Sequence, residues 1–148
     1  MAITPLIAVV DADASFRDLI AEFLSEEGFE VLLLEERDAI CETIRARKPA
    51  LVLLELLLTD QEHGWTVLNT LRRDLQTRQL PVIITSTATR LIARSERQLR
   101  AQACDVLLKP FDLDDLLLLV GRYMPAVEQH TMTRGTYACG WSGAGSMS

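Results

Sequence analysis

Short apolar runs recur along the chain, separated by longer segments of mixed character. Prolines 5, 49 and 81 each directly precede one of these runs, and proline is tolerated at the first residue of a strand but not inside a central strand. Short, almost entirely apolar runs are typical of parallel strands buried on both faces of a sheet. The pattern predicts five such strands: LIAVV (6–10), FEVLLL (29–34), ALVLL (50–54), VIITS (82–86) and VLLK (106–109).

The segments between the predicted strands carry apolar residues at helical spacing. Asp13 stands where an N-cap of the first helix is expected, and Gly28 where the residue after its end is expected. Five helices alternating with five strands predict a flavodoxin-like α/β fold, a doubly wound five-stranded parallel sheet with helices on both faces. The stripes are Phe16, Leu19, Ile20, Phe23 and Leu24; Ala39, Ile40, Thr43 and Ile44; Trp65, Leu68, Leu71 and Leu75; Leu91, Ile92, Ser95 and Leu99; and Leu113, Leu116, Leu117, Val120 and Met124.

The periodic pattern ends near residue 124 and divides the chain in two. Residues 1–124 have the size of one ordinary domain, whereas residues 125–148 contain four of the seven glycines and no apolar period. We therefore predict a domain over 1–124 and a Gly-rich flexible tail over 125–148. The tail contains Tyr137 and Trp141, which could dock on the domain or on a partner.

Composition narrows the class of protein. The apolar share of 49% excludes general disorder, and no apolar run approaches the roughly 18 residues of a membrane span. The N-terminus lacks the basic start of a signal peptide, and three cysteines without CxxC spacing suggest reduced thiols, so we expect a cytoplasmic protein. A net charge of −6 argues against nucleic-acid binding, although residues 63–104, with seven basic and two acidic residues, could form a local basic patch.

Polar side chains follow the predicted strands at their carboxyl ends, where sites in open α/β sheets are located. A lysine and hydroxyl groups could bind phosphate oxygens there, and carboxylates could hold Mg²⁺. No glycine-rich phosphate-binding loop is present in the sequence. The set is Asp11 and Asp13 after the first strand, Glu55 in the third, Ser86 and Thr87 in and after the fourth, and Lys109 after the fifth.

These residues carry a family resemblance. Over about residues 4–124 the chain resembles the receiver domain of bacterial response regulators, of the stand-alone kind found in chemotaxis. The matching pieces are IAVVDADASFRDLI, KPALVLLELLL, HGWTVLNTLR, LPVIITSTA and ACDVLLKPFDLDDLL. The resemblance implies phosphorelay signalling: a histidine kinase passes a phosphoryl group to an aspartate at the end of the third strand, assisted by Mg²⁺. It also implies that a hydroxyl residue (Ser86) and Lys109 contact the phosphoryl group.

The sequence departs from that family pattern at several positions. Glu55 stands at the position of the phosphate-accepting aspartate, and Ala12 replaces the second member of the acidic pair after Asp11. Val106 occupies the place of the usual aromatic switch residue, and the loop between Glu55 and Gly64 is one residue longer than usual.

Each departure at the site has a physical consequence. A glutamate carries its carboxylate about 1.5 Å further from the backbone, whereas productive geometry tolerates about 0.5 Å, so Glu55 should be a poor acceptor. Ala12 removes a ligand and should weaken any Mg²⁺ site, which would rest on Asp11 and Glu55. The longer carboxylate could instead pair permanently with Lys109. We therefore expect a degenerate receiver that is not an enzyme beyond residual phosphoryl transfer.

Other interpretations stay open. The chain could be an active receiver phosphorylated on Glu55 or Asp60, or a small-ligand module of flavodoxin-like fold. Asp13 could simply be an N-cap rather than a pocket acid. We expect a histidine kinase or relay component and a downstream effector as partners. The expected output face is formed by the fourth helix, the fifth strand and the fifth helix, and a homodimer could form through the same face. That face would comprise Arg90, Arg94 and Arg97 of the fourth helix with Val106, Leu118 and Leu119. The three arginines could instead form a solvated face, and the two leucines could simply pack against neighbouring residues.

Overall fold

The computed structural model describes residues 4–35, 38–58, 63–103 and 105–124. One five-stranded sheet runs through them in the order β2-β1-β3-β4-β5, and all four strand pairs are parallel. The predicted doubly wound α/β fold is confirmed. The elements are β1 (Leu6–Val10), α1 (Ala14–Glu26), β2 (Glu30–Leu34), α2 (Ile40–Arg47), β3 (Leu51–Glu55), α3 (His63–Arg73), β4 (Val82–Ser86), α4 (Thr89–Arg94), α5 (Glu96–Gln102), β5 (Asp105–Leu108) and α6 (Leu113–Tyr123).

The sheet separates two apolar cores, because successive strand residues point to opposite faces. Ala8 and Val10 of β1 belong to the core on the α2, α3 and α5 side, whereas Ile7 and Val9 belong to the core beneath α1 and α6. Strands with both faces buried need apolar residues at every position, which explains the continuous runs in the sequence. None of the helices in the described ranges is both long and apolar enough to cross a membrane.

The boundaries of α1 follow the predicted capping residues. The Asp13 carboxylate accepts hydrogen bonds from the backbone N–H groups of Ser15 and Phe16, 2.9 and 3.2 Å away. Gly28 has a φ of +98°, a conformation that residues with a β-carbon rarely adopt. Asp13 therefore fixes the start of the helix that follows the first strand.

Replacing this cap should have a measurable cost. We expect Asp13→Ala to lower the free energy of unfolding by about 1 kcal/mol, because the two N–H groups of the first turn lose their acceptor. Asp18→Ala, which changes an exposed acid within the same helix, is the matched control and should be neutral or slightly stabilising. Urea denaturation measures both; equal effects of the two substitutions would contradict the capping role.

Three details of the predicted helices were wrong. The fourth helix is two short helices, α4 and α5, because Ser95 (φ −106°, ψ 13°) leaves helical geometry and begins the second. Helix α3 ends at Arg73, so Leu75 lies beyond it with 77% of its surface exposed. Leu19 of α1 is 52% exposed rather than part of the core, since it lies at the edge of the face that α1 presents to the sheet.

Candidate functional site

Three charged side chains meet at the carboxyl ends of β1, β3 and β5. Lys109 directly follows β5, and its Nζ lies 2.7 Å from Oδ2 of Asp11 and 2.9 Å from Oε1 of Glu55. Asp11 directly follows β1, and Glu55 is the last residue of β3. The predicted pairing of Glu55 with Lys109 is thus present in the structure, and Asp11 shares the same ammonium group.

Each of the four carboxylate oxygens at this site accepts a hydrogen bond. Lys109 donates to one oxygen of each acid. The backbone N–H of Asp13 donates to Oδ1 of Asp11, and the backbone N–H of Leu57 donates to Oε2 of Glu55, and the N···O distance is 2.9 Å in both bonds. Asp11 and Glu55 are only 3% and 6% exposed, so these hydrogen bonds replace most of the water that the carboxylates lose.

The aromatic ring of Phe16 also contacts the ammonium group. Nζ of Lys109 lies 3.9 Å from the ring centroid, a cation–π contact, and Phe111 packs edge-on against Phe16 with centroids 6.1 Å apart. The Lys109–Pro110 peptide bond is cis. The apolar spacing placed Phe16 in the core stripe of α1; its position in the first turn of the helix that follows Asp11 was the signal that could have placed it beside the site.

Lys109 remains charged in this environment. Burial by itself lowers the pKa of the ammonium group, but the hydrogen bonds and attraction from Asp11 and Glu55 outweigh it, so the pKa lies above its ordinary value of 10.5. With both carboxylates ionised, the three side chains carry a net charge of −1. The site is therefore a compact ion cluster in which the ammonium group balances one of the two negative charges.

Ser86 and Thr87 occupy different environments beside this cluster. Ser86 is fully buried at the end of β4, where its Oγ accepts a hydrogen bond from the backbone N–H of Ala88 and its carbonyl accepts one from the N–H of Lys109. Thr87 is exposed. The fold thus joins Ser86 to Lys109 through the backbone, whereas the Ser86 hydroxyl stabilises the turn that leads into α4.

The arrangement fits Mg²⁺ poorly. Among the described residues no group of three or more His, Cys, Asp or Glu side chains could hold a metal ion. Asp13 is exposed and serves as the N-cap of α1, and Ala12 offers no ligand. A divalent cation between Asp11 and Glu55 would have to compete with the Lys109 ammonium, which already contacts both. Asp60, the alternative acceptor, lies outside the described residues.

The output face expected from the sequence is only partly supported. Arg90, Arg94 and Arg97 are exposed, but they lie on two helices, since the chain breaks at Ser95. Val106 and Leu119 are buried, at 0% and 1% exposure, and Leu118 is half-buried. Val106 and Leu119 therefore belong to the two cores and form no contact surface, and placing them on an output face was wrong.

Comparison with known proteins identifies the family. The sequence model described as the response regulator receiver domain matches residues 7–121, which begin at the second residue of β1, end at Gly121 in α6 and include the whole ion cluster. The chain belongs to the response regulator receiver domain family. Receiver domains act in two-component signalling and interact with histidine kinases and effectors, so the family resemblance carried by the strand-end residues is confirmed.

Curated relatives of this receiver domain are transcriptional regulators. It is 33% identical over 118 residues to the DNA-binding dual master transcriptional regulator RpaA of Synechocystis sp., covering 78% of this chain and 47% of that protein. It is 30% identical to the transcriptional regulatory protein RstA of Escherichia coli, covering 87% and 52%. The chain spans about half the length of the curated relatives it matches.

Solved structures show the same fold. The receiver domain of NtrX from Brucella abortus superposes with a TM-score of 0.70 at 32% identity, covering 82% of this chain and 99% of that one. A sensor protein from Polaromonas sp. JS666 superposes with a TM-score of 0.73 at 26% identity, covering 82% and 96%. The flavodoxin-like receiver architecture is therefore shared by proteins that differ from this chain at most positions.

Proposed function

We propose that this receiver domain is a degenerate one: it signals through protein contacts, and the ion pair between Glu55 and Lys109 takes the place of the phosphoryl switch. The observation that carries the proposal is the short contact from Nζ of Lys109 to Oε1 of Glu55, 2.9 Å, in a buried site. The lysine that the family resemblance assigns to the phosphoryl group is already bound by a protein carboxylate.

The occupancy of both Glu55 oxygens supports the proposal. An acceptor must present a carboxylate oxygen in line with the phosphoryl donor. Here Oε1 is held by Lys109 and Oε2 by the backbone N–H of Leu57, so the carboxylate is fixed in one orientation and one lone pair of each oxygen is engaged. The extra methylene of glutamate allows the side chain to reach the ammonium group directly. Glu55 is therefore better suited to an ion pair than to phosphoryl transfer.

The charge that Glu55 places beside Lys109 resembles part of a phosphoryl group. A phosphoryl group carries about −1.5 to −2 at neutral pH, and the glutamate carries −1. The pair thus provides a fixed fraction of that charge without a kinase or a metal ion. In this proposal, weak Mg²⁺ affinity is a consequence of the site rather than a defect that blocks its use, because no step depends on the ion.

Output in this proposal passes through exposed surface near the ends of β4 and β5. Ser86 connects Lys109 to the turn that begins α4, and Arg90, Arg94 and Arg97 follow on α4 and α5. Three exposed arginines suit an effector with an acidic surface, because charge complementarity speeds and orients association. The expected classes of partner remain a relay kinase, an effector with an acidic surface and a second copy of the chain.

The proposal predicts that the glutamate sets the conformation of the site. In ¹H–¹⁵N NMR spectra, Glu55→Gln should shift the amides of Leu57 and Lys109 and those of α4, because the isosteric amide is uncharged and has one acceptor oxygen for the two donors that Glu55 binds. Glu22→Gln, an exposed glutamate on α1, is the matched control and should leave these amides in place. Unchanged α4 resonances in Glu55→Gln would show that the ion pair does not govern the switch region.

A further inference from the structure

A second feature lies directly beside the ion cluster. An apolar pocket of about 330 Å³ opens between α1 and the loop that joins β5 to α6. Lys109 contributes to its floor, but nearly all of the accessible surface inside it is apolar. Its walls are Phe16, Leu19, Ile20, Thr87, Lys109, Pro110, Phe111 and Leu113.

Leu19 lines the pocket and is partly exposed to solvent. It is 52% exposed, and a large apolar side chain at the mouth of an apolar pocket extends the surface that a partner group could bury. Leu75 is also exposed, but it does not line this pocket and follows the end of α3. The two leucines therefore differ in context: Leu19 borders this pocket, whereas Leu75 lies beyond the end of α3 and does not line it.

We propose that the segment of residues 137–141, with Tyr137 and Trp141, binds this pocket within the same chain. The pocket has aromatic walls in Phe16 and Phe111, already arranged edge-to-face, and aromatic rings prefer such partners. Residues 126–148 contain one acid and one base, so the segment brings no net charge to an apolar surface. Burying one indole ring removes a large apolar area from water.

The length of the chain allows this contact. Helix α6 begins at Leu113, on the wall of the pocket, and its 11 residues carry the chain about 16 Å away. The 13 residues from 125 to 137 can extend to at most about 43–47 Å, so the chain is long enough to return over the distance that α6 covers. Because the contact would be intramolecular, its effective concentration should be in the millimolar range, and a contact with a Kd of about 1 mM or below would be populated at least about half of the time.

The consequence would be a covered face beside the ion cluster. A ring seated in the pocket would contact Phe16, which also contacts the ammonium group of Lys109 and the ring of Phe111. It would also cover α1 and the loop after β5, so any partner that uses this face would have to displace the segment. This inference does not depend on whether Glu55 can be phosphorylated.

The test uses the full chain labelled with 5-fluorotryptophan. The sequence has two tryptophans, Trp65 and Trp141, so ¹⁹F NMR gives two resonances, and Trp141→Phe assigns them. We expect the Trp141 resonance of the wild type to be displaced from that of free tryptophan. Leu19→Glu should return it most of the way to the free position, whereas Leu75→Glu, the matched change at the other exposed leucine, should leave it displaced.

Several outcomes would overturn the inference. A Trp141 resonance at the free position in the wild type, or equal shifts in Leu19→Glu and Leu75→Glu, would show that the pocket is not its binding site. A displaced resonance that returns to the free position on tenfold dilution would show that a second copy fills the pocket instead. Leu19→Gln repeats the test without adding charge, and circular dichroism melting curves establish that each variant is folded.

Discussion

Replacing Lys109 with methionine should lower the free energy of unfolding by about 3–5 kcal/mol at neutral pH. The substitution keeps the apolar stem but removes the ammonium group, so Asp11 and Glu55 are left as two buried carboxylates without a common counter-ion. Losses of this size are typical when one partner of a buried ion pair is removed.

Urea denaturation at pH 7 measures this effect. Arg90→Met, which removes an exposed cation from α4, is the matched control and should change stability by less than about 0.5 kcal/mol. Adding Glu55→Gln to Lys109→Met should recover part of the loss, since one uncompensated charge is removed. Equal stability of Lys109→Met and the wild type would mean that the contacts at Lys109 contribute nothing net to the fold.

Replacing Gly64 with alanine should destabilise the domain by about 3 kcal/mol, near the upper end for overpacking. A β-carbon at this position would lie within about 2.3 Å of the Glu55 carbonyl oxygen and 2.5 Å of that of Leu56, far inside contact distance. Both neighbours are backbone atoms, so either α3 or the end of β3 must move. A shift of β3 would also displace the Glu55 carboxylate from Lys109.

Gly121→Ala is the matched control for this change. Gly121 lies in α6, and a β-carbon there would meet no atom within 4 Å. Because alanine favours the helix over glycine, the control should be neutral or stabilising by up to about 1 kcal/mol. Thermal melting of the two variants compares them directly. Similar melting temperatures would contradict the close approach of α3 to β3.

The sheet could be predicted from the sequence because burial on both faces leaves an unmistakable pattern of short apolar runs. The ion cluster could be predicted for a related reason: parallel strands end at one edge, so residues that follow β1, β3 and β5 must converge. The participation of Asp11 in the same cluster as Glu55 and Lys109 follows from that geometry. The residues that meet at the strand ends can therefore be predicted from a single sequence, without an alignment.

The helices were less predictable. Leu91, Ile92, Ser95 and Leu99 keep helical spacing across the break at Ser95, so the apolar pattern could not reveal that α4 and α5 are separate. The burial of individual apolar residues on the helices was also ambiguous, since spacing alone does not say which face of a helix packs against the rest of the protein. Leu119 is buried although it exceeded the expected stripe, and Leu19 is exposed although it belonged to one.

Some contacts depend on backbone positions that no residue pattern specifies. The N–H groups of Asp13 and Leu57 complete the hydrogen bonds of Asp11 and Glu55 only because the chain turns immediately after β1 and β3. The close packing at Gly64 arises in the same way, from the position of α3 over the end of β3. Such features become visible only when the fold is assembled.

The central claim is that Glu55 serves as an ion-pair partner of Lys109 and not as a phosphoryl acceptor. Incubation with acetyl phosphate and Mg²⁺, followed by intact mass spectrometry, tests it directly. We predict that the wild type stays unmodified, whereas Ala12→Asp combined with Glu55→Asp, which restores both acids of the family pattern, gains a phosphoryl group of about 80 Da. A stable adduct on wild-type Glu55 in good yield, or one that Asp60→Asn abolishes, would contradict the account.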